Sequence, residues 1–197
     1  MMENAAPLDA AGVKRWRKSE RERLIAERLA IRADLRRQNA ERIAARLDDI
    51  AQSLAGRIIS AYWPLRGEPD LRPWMERVVA HGGSVALPVV VVKNAPLIFR
   101  AWTPAARMEH GFWNIPVPTD GAEVVPDIVI APVVGFDPDC YRLGYGGGYF
   151  DRTLADFRHS PLVVGVGYAH AQIPTIHPQP HDIPMDRIVT DLATLAP

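Results

Sequence analysis

A chain of 197 residues with 48% hydrophobic content can bury one substantial core, so a single domain suffices. The formal net charge is zero and no apolar run approaches the length of a membrane-spanning helix, so neither a whole-protein polyanion field nor a membrane span is indicated. One cysteine, Cys140, cannot form an internal disulfide or supply a zinc site alone.

In chain order, residues 1–9 lack the basic and apolar regions of a signal peptide, so a cytoplasmic location is the default expectation. Residues 1–13 are expected to form a disordered N-terminal extension ahead of one domain over 14–197. Between Lys14 and Arg46 twelve Lys/Arg face five Asp/Glu, a surplus of seven positive charges. Within it Leu24, Ile31 and Leu35, then Ile43, Leu47, Ile50 and Leu54, recur at helical spacing. This predicts helices over 12–31 and 34–54, with Asp34 as an N-cap of the second. A basic helical face of this kind is ordinarily just solvated.

The pattern then alternates. Residues 57–63 read as a strand, 70–81 as a helix ended by Gly82 and Gly83, and 84–92 as a strand, which makes a βαβ unit with a right-handed crossover. Further strands are expected over 97–102, 127–134 and 161–167. The fold class is therefore α/β: a single-domain, mixed or largely parallel sheet with helices on both faces, preceded by N-terminal helices. Pro64, Gly67 and Pro69 place Glu68 on the loop at the C-terminal end of the first strand, where open α/β sheets bind ligands.

The most informative stretch is 135–152. Gly144, Gly146, Gly147 and Gly148 lie between a buried-strand pattern at 127–134 and a helix expected to open at Tyr149, flanked by Arg142, Arg152 and three aspartates. Glycines let backbone N–H groups turn inward as an anion nest, and a helix N-terminus adds positive field. Strand, glycine loop and helix form a phosphate-binding layout. No Gly-Lys-Ser/Thr follows, which excludes a P-loop, and no glycine stands at position 149, which excludes the dinucleotide fingerprint. Tyr141, Leu143, Tyr145, Tyr149 and Phe150 are too large and apolar for a flexible linker. Cys140 beside the loop is a lone thiol with no identified base.

The string Phe136-Asp137, then Arg142-Leu143-Gly144-x-Gly146-Gly147-Gly148-Tyr149-x-Asp151-Arg152, resembles the signature of the 5-formyltetrahydrofolate cyclo-ligases, or methenyltetrahydrofolate synthetases. Gly67-Glu68-Pro69-Asp70-Leu71, Gly167-Tyr168-Ala169 and His181-Asp182-Ile183-Pro184-Met185-Asp186 agree with it in order and spacing, so the likeness covers residues 14–191. It implies phosphorylation of the formyl oxygen of 5-formyltetrahydrofolate by ATP with Mg²⁺, attack by N10, and loss of phosphate to give 5,10-methenyltetrahydrofolate.

The resemblance assigns Arg142, Leu143, Gly144, Tyr145, Gly146, Gly147, Gly148, Tyr149 and Phe150 to the nucleotide loop. Arg142 and Tyr149 carry catalysis. Residues 145–149 also border the folate, which Glu68 is expected to bind through the pterin N–H groups, with Trp63 against the ring. Asp151 and Asp182 are the implied Mg²⁺ ligands, hard oxygens suited to that ion, and Asp186 is the fallback. A basic pair four residues apart in the first helix should reach the phosphates: Arg17 with Arg21, or Lys14 with Lys18 in the competing register. One departure stands out, because Val117 in Ile115-Pro116-Val117-Pro118 occupies the position of an acid in many relatives. His177 and His181 are separated by prolines that exclude a helix, so they do not read as a zinc pair.

The expected partner is a reduced folate, not nucleic acid or a membrane, and the expected assembly is a monomer or weak dimer. Two alternatives stay open: a paralogue using ATP on another pterin or small acid, and a non-catalytic nucleotide- or RNA-binding module whose arginine-rich helices contact phosphates.

Overall fold

The structure, a computed structural model, describes residues 8–51 and 56–197. Helix α1 (Ala10–Ala30) starts where Asp9 Oδ1 accepts a hydrogen bond from the Gly12 amide at 2.6 Å. The boundary expected after residue 13 therefore falls inside α1; residues 1–7 and Leu54 lie outside the described residues. Helix α2 (Ala33–Ala51) begins one residue before Asp34, which sits in the first turn and takes the Arg32 fork at 3.1 and 3.0 Å instead of capping. There its charge still favours the helix N-terminus.

Then follow β1 (Ile58–Ser60), α3 (Arg72–Ala80), β2 (Ser84–Val89), β3 (Ile98–Trp102), β4 (Met108–His110), β5 (Pro116–Pro118), β6 (Ile128–Pro132), β7 (Gly135–Phe136), β8 (Arg142–Leu143), α4 (Tyr149–Asp156), β9 (Leu162–Val166), β10 (Arg187–Val189) and β11 (Thr194–Leu195). The strands are shorter than apolar composition suggests. After Ala61, whose amide still reaches the Ala86 carbonyl, β1 runs into Pro64 and leaves the sheet. Val91 and Val92, expected in β2, are each 60% exposed beyond its end.

The central sheet has the order β11-β10-β9-β6-β1-β2-β3. Its five inner strands are parallel, and β3 and β11 run antiparallel at the edges, so the sheet is mixed. From β1 the chain winds one way to β2, and from β6 the other way to β9 and β10. The reversal puts a crevice between the C-terminal ends of β1 and β6.

Alternation along the strands separates two cores. Ile59, Ile128, Ile130, Val164 and Val166 pack with Ile43 and Leu47 of α2 and Trp74, Met75 and Val78 of α3. Val129, Ala131, Val163 and Ile188 face the other way, toward Leu24 of α1, with Phe150 and Leu154 of α4 beside them. At Gly135 a Cβ would stand 2.6 Å from Leu24 Cδ1, so a side chain there would push α1 off the strand that leads to the glycine loop. This close approach carries the arginines of α1 to the crevice.

Candidate functional site

The crevice holds a cavity of about 220 Å³. Its walls are the loop after β1 (Tyr62, Trp63, Leu65, Glu68), the glycine loop from Gly144 to Asp151, Arg17 and Arg21 from α1, and a flap of Phe112, Trp113 and Ile115 to Val117. His181 and Asp182 close one end.

That end is cationic. Arg142, buried in β8, donates from Nη1 to Asp151 Oδ1 at 2.9 Å and lies 5.5 Å from the Phe150 ring centroid. Burial lowers the pKa of its guanidinium, and Asp151 and Asp182 oppose that shift. Arg17 donates to the carbonyls of Ile176 (3.0 Å) and His177 (2.9 Å), and its two terminal nitrogens engage both oxygens of Asp182. Arg21 Nε donates to the Gly144 carbonyl at 2.6 Å, which sets its guanidinium against Gly146. Helical spacing turns this pair inward. Lys14 and Lys18 are exposed, and among the described residues Lys18 reaches only Glu22, so the competing register faces solvent.

The glycine loop owes its path to two left-handed residues, Gly146 at φ 93° and Gly148 at φ 64°, the second serving as N-cap of α4. Between them, a Cβ on Gly147 would meet Tyr149 Cδ2 at 2.9 Å and Trp113 Cη2 at 3.2 Å. Arg152 closes the loop from below, donating to the Gly147 carbonyl at 2.6 Å with its guanidinium carbon 5.1 Å from the Tyr149 ring centroid. Tyr149 in turn meets Phe112 and Trp113 edge-on, at centroid distances of 5.9 and 6.0 Å.

At the opposite end Glu68 is 6% exposed. Its Oε2 accepts from the Leu65 amide (2.7 Å) and its Oε1 from the Tyr145 hydroxyl (2.8 Å). Burial pushes the carboxyl up to about 7, against the opposing charge of Arg28 and the two hydrogen bonds. Trp63 stands at the rim, edge-on to Trp102 at 6.5 Å and beneath the Arg72 guanidinium at 5.3 Å, so it serves both the core and the cavity wall.

The sequence-predicted residues Arg17, Arg21, Trp63, Glu68, Arg142, Gly144 to Phe150, Asp151 and Asp182 thus share one cavity. Leu143 does not: its side chain lies in the second core, and its carbonyl ties the loop to the Val134 amide at 2.9 Å. β-Strand alternation points Leu143 away when it points Arg142 in. Cys140 is fully buried and burial raises its thiol pKa, which keeps it protonated. The basic face of α1 also divides, with Arg17, Arg21 and Arg28 engaged inside while Arg23 pairs with Glu20 and Glu27 at the surface. Sequence reasoning passed over the aromatic flap and Arg28. The spacing of Arg17, Arg21, Leu24 and Arg28 on one helical face carried the second signal.

Among the described residues no three His, Cys, Asp or Glu side chains converge as a metal-holding group. A hard divalent cation needs few protein oxygens when phosphates and water supply the rest. Asp151 fits that requirement: Oδ1 takes Arg142 and the Ile183 amide, and Oδ2 has no hydrogen-bond partner among the described residues. Asp182 fits only after an exchange, since Arg17 and the Gln179 amide engage both its oxygens.

Residues 13–191 match the profile of the 5-formyltetrahydrofolate cyclo-ligase family. The 5-formyltetrahydrofolate cyclo-ligase of Escherichia coli K12 is 29% identical over 171 residues, covering 83% of this chain and 93% of that one. The cyclo-ligase of Mycolicibacterium smegmatis is 27% identical over 175 residues, 85% and 89% of the two chains. The solved structure of Aquifex aeolicus 5,10-methenyltetrahydrofolate synthetase superposes with a TM-score of 0.79 at 28% identity, over 91% of this chain and 92% of its own.

Proposed function

The chain belongs to the 5-formyltetrahydrofolate cyclo-ligase family, and we propose on that premise that its cavity converts 5-formyltetrahydrofolate to 5,10-methenyltetrahydrofolate with the cleavage of ATP. One observation carries the reading: a glycine loop lined by arginines and a buried carboxyl beside aromatic rings face each other across a single crevice. The first suits a triphosphate and the second a pterin.

In this reading the glycine-loop amides and Arg17, Arg21 and Arg142 hold the phosphates, Arg142 placed to stabilise charge on the phosphoryl group as it moves to the formyl oxygen. Glu68 accepts hydrogen bonds from the pterin N–H groups, and Trp63 packs at the ring edge. Tyr149, with Phe112 and Trp113, walls off water and holds the formyl end against the loop, so that N10 can close on the activated carbon as phosphate leaves. Magnesium bound with the nucleotide would neutralise phosphate charge. On the protein side Asp151 would hold it, with Asp182 as a second ligand were Arg17 to turn to a phosphate.

The test is a single mixture of protein, Mg-ATP and 5-formyltetrahydrofolate, followed by methenyl absorbance and by ADP. Equal yields of the two products are expected. ADP formed without methenyl product, and equally without folate, would remove the reading. Val117, buried in β5 and lining the cavity where many relatives have an acid, favours a second reading in which another pterin is preferred. Competition by other reduced pterins in the same assay separates the two.

A further inference from the structure

Arg28 does not line the cavity, yet it is 3% exposed, and a guanidinium that deep needs partners to offset its desolvation. Its partners come from both walls of the crevice. Nε donates to the Arg66 carbonyl at 3.0 Å, on the loop that carries Glu68, and Nη2 donates to the Tyr145 hydroxyl at 2.6 Å, on the glycine loop. That hydroxyl in turn donates a hydrogen bond to Glu68 Oε1 at 2.8 Å. Nη1 is buried with no partner among the described residues, so the side chain is fixed by its two bonds and not by full satisfaction. Arg28 follows Arg21 by seven residues, so one face of α1 reaches the arginine end of the cavity and the Glu68 end alike.

We propose that Arg28 is a positioning residue for folate recognition: it aims the Tyr145 hydroxyl at Glu68, supplies the positive charge that lets this buried carboxyl accept hydrogen bonds from a pterin, and ties the substrate loop to the glycine loop. The proposal rests on the reading of Glu68 as the pterin-facing group. The other titratable groups about Glu68 are Tyr62, Tyr145 and Tyr168, each pushed above its usual pKa by burial. Arg66 lies 5.9 Å from the Tyr145 ring centroid and Arg36 stands beside Gly67. Arg28 is the cation that acts directly on the Glu68 carboxyl.

The test measures binding of 5-formyltetrahydrofolate without nucleotide from pH 5.5 to 9, with KM and kcat beside it, for Arg28→Gln, Arg28→Lys, Tyr145→Phe and Glu68→Gln. Arg28→Gln should move the midpoint of the pH dependence to higher pH by about one unit, which raises KM for the folate about fivefold near pH 7 and about tenfold toward pH 5.5. Arg28→Lys should restore most of the midpoint. Tyr145→Phe should displace it in the same direction, and the Arg28→Gln/Tyr145→Phe double variant should fall short of additivity. A purely structural role would lower the melting temperature and leave the midpoint in place; that outcome in Arg28→Gln, with Glu68→Gln losing folate affinity, overturns the proposal and spares the reading of Glu68. If Glu68→Gln binds folate as wild type does, that reading falls and the proposal with it. Should Arg28→Gln not fold, an unmoved midpoint in Tyr145→Phe decides against the proposal.

Discussion

At one end of the cavity Arg17, Arg21 and Arg142 are each held by a carboxylate or carbonyl of the protein itself; at the other, Glu68 is held by a neutral hydroxyl and an amide. Arg17 and Arg142 are charge-paired before any ligand arrives, and Arg21 is held by the Gly144 carbonyl. A phosphate there must replace existing partners, so it gains less in Coulomb energy than three free arginines would give, but it finds donors already aimed. The Glu68 end carries a burial cost that Arg28 and two hydrogen bonds offset only in part, so the carboxyl is pushed up to about 7. Its ionised form, favoured in part by Arg28, the Leu65 amide and the Tyr145 hydroxyl, gains further when a substrate supplies donors. One end is thus built for position and the other for a pH-sensitive choice of ligand.

The largest effect expected from this contrast is at Arg142. Arg142→Ala removes the most buried of the three arginines at that end and leaves Asp151 facing the phosphates unpaired, so turnover should fall on the order of 10²-fold or more. A wild-type rate by the coupled methenyl and ADP assay would make the arginine end a structural ion-pair cluster. Gly147→Val comes next. With a Cβ placed 2.9 Å from the Tyr149 ring, the loop must shift, and overpacking of about 1–3 kcal/mol converts to about 5- to 150-fold in nucleotide affinity. Titration of ATP by calorimetry checks it; unchanged affinity would show that the loop cradles nothing.

The other end makes a prediction of opposite sign, on stability. Glu68 is raised from 4.5 to about 7 in the fold, so its neutral form favours folding; that contribution is complete below pH 4.5 and is lost as pH rises through about 7. Glu68→Gln, neutral at every pH, should therefore be more stable than wild type at pH 8 by about 1–3 kcal/mol, with the gap closing near pH 4. Denaturant unfolding at the two pH values measures this. Equal stabilities at pH 8 would mean that water reaches the carboxyl and that its burial costs little.

The smallest effects should separate the two acids of the arginine end. Asp151→Asn removes the unpartnered oxygen and should raise the Mg²⁺ needed for half-maximal activity severalfold. Asp182→Asn loosens Arg17 and should act first on KM for ATP, where a charge-assisted hydrogen bond is worth about 1.5–3 kcal/mol at most. Combined, they should be less than additive if one ion joins them. A magnesium requirement that follows Asp182 and ignores Asp151 would reverse the assignment.

By itself the sequence determined the βαβ core, the site of the glycine loop, the four-residue spacing of Arg17 and Arg21, and the placing of Glu68 at a strand end, because periodicity and backbone chemistry are local properties. Only the tertiary structure decided the partners. Arg17 meets Asp182 across 165 positions, Tyr145 meets Glu68 across 77, and Arg28 bridges two loops that no spacing rule relates. It also decided that Leu143 serves the core, that Val91 and Val92 lie exposed beyond the end of β2, and that Trp113 closes over Gly147. Each of these turns on which loops the reversal between β1 and β6 brings face to face. That distance is set by sheet order, which hydrophobic pattern along the chain does not encode.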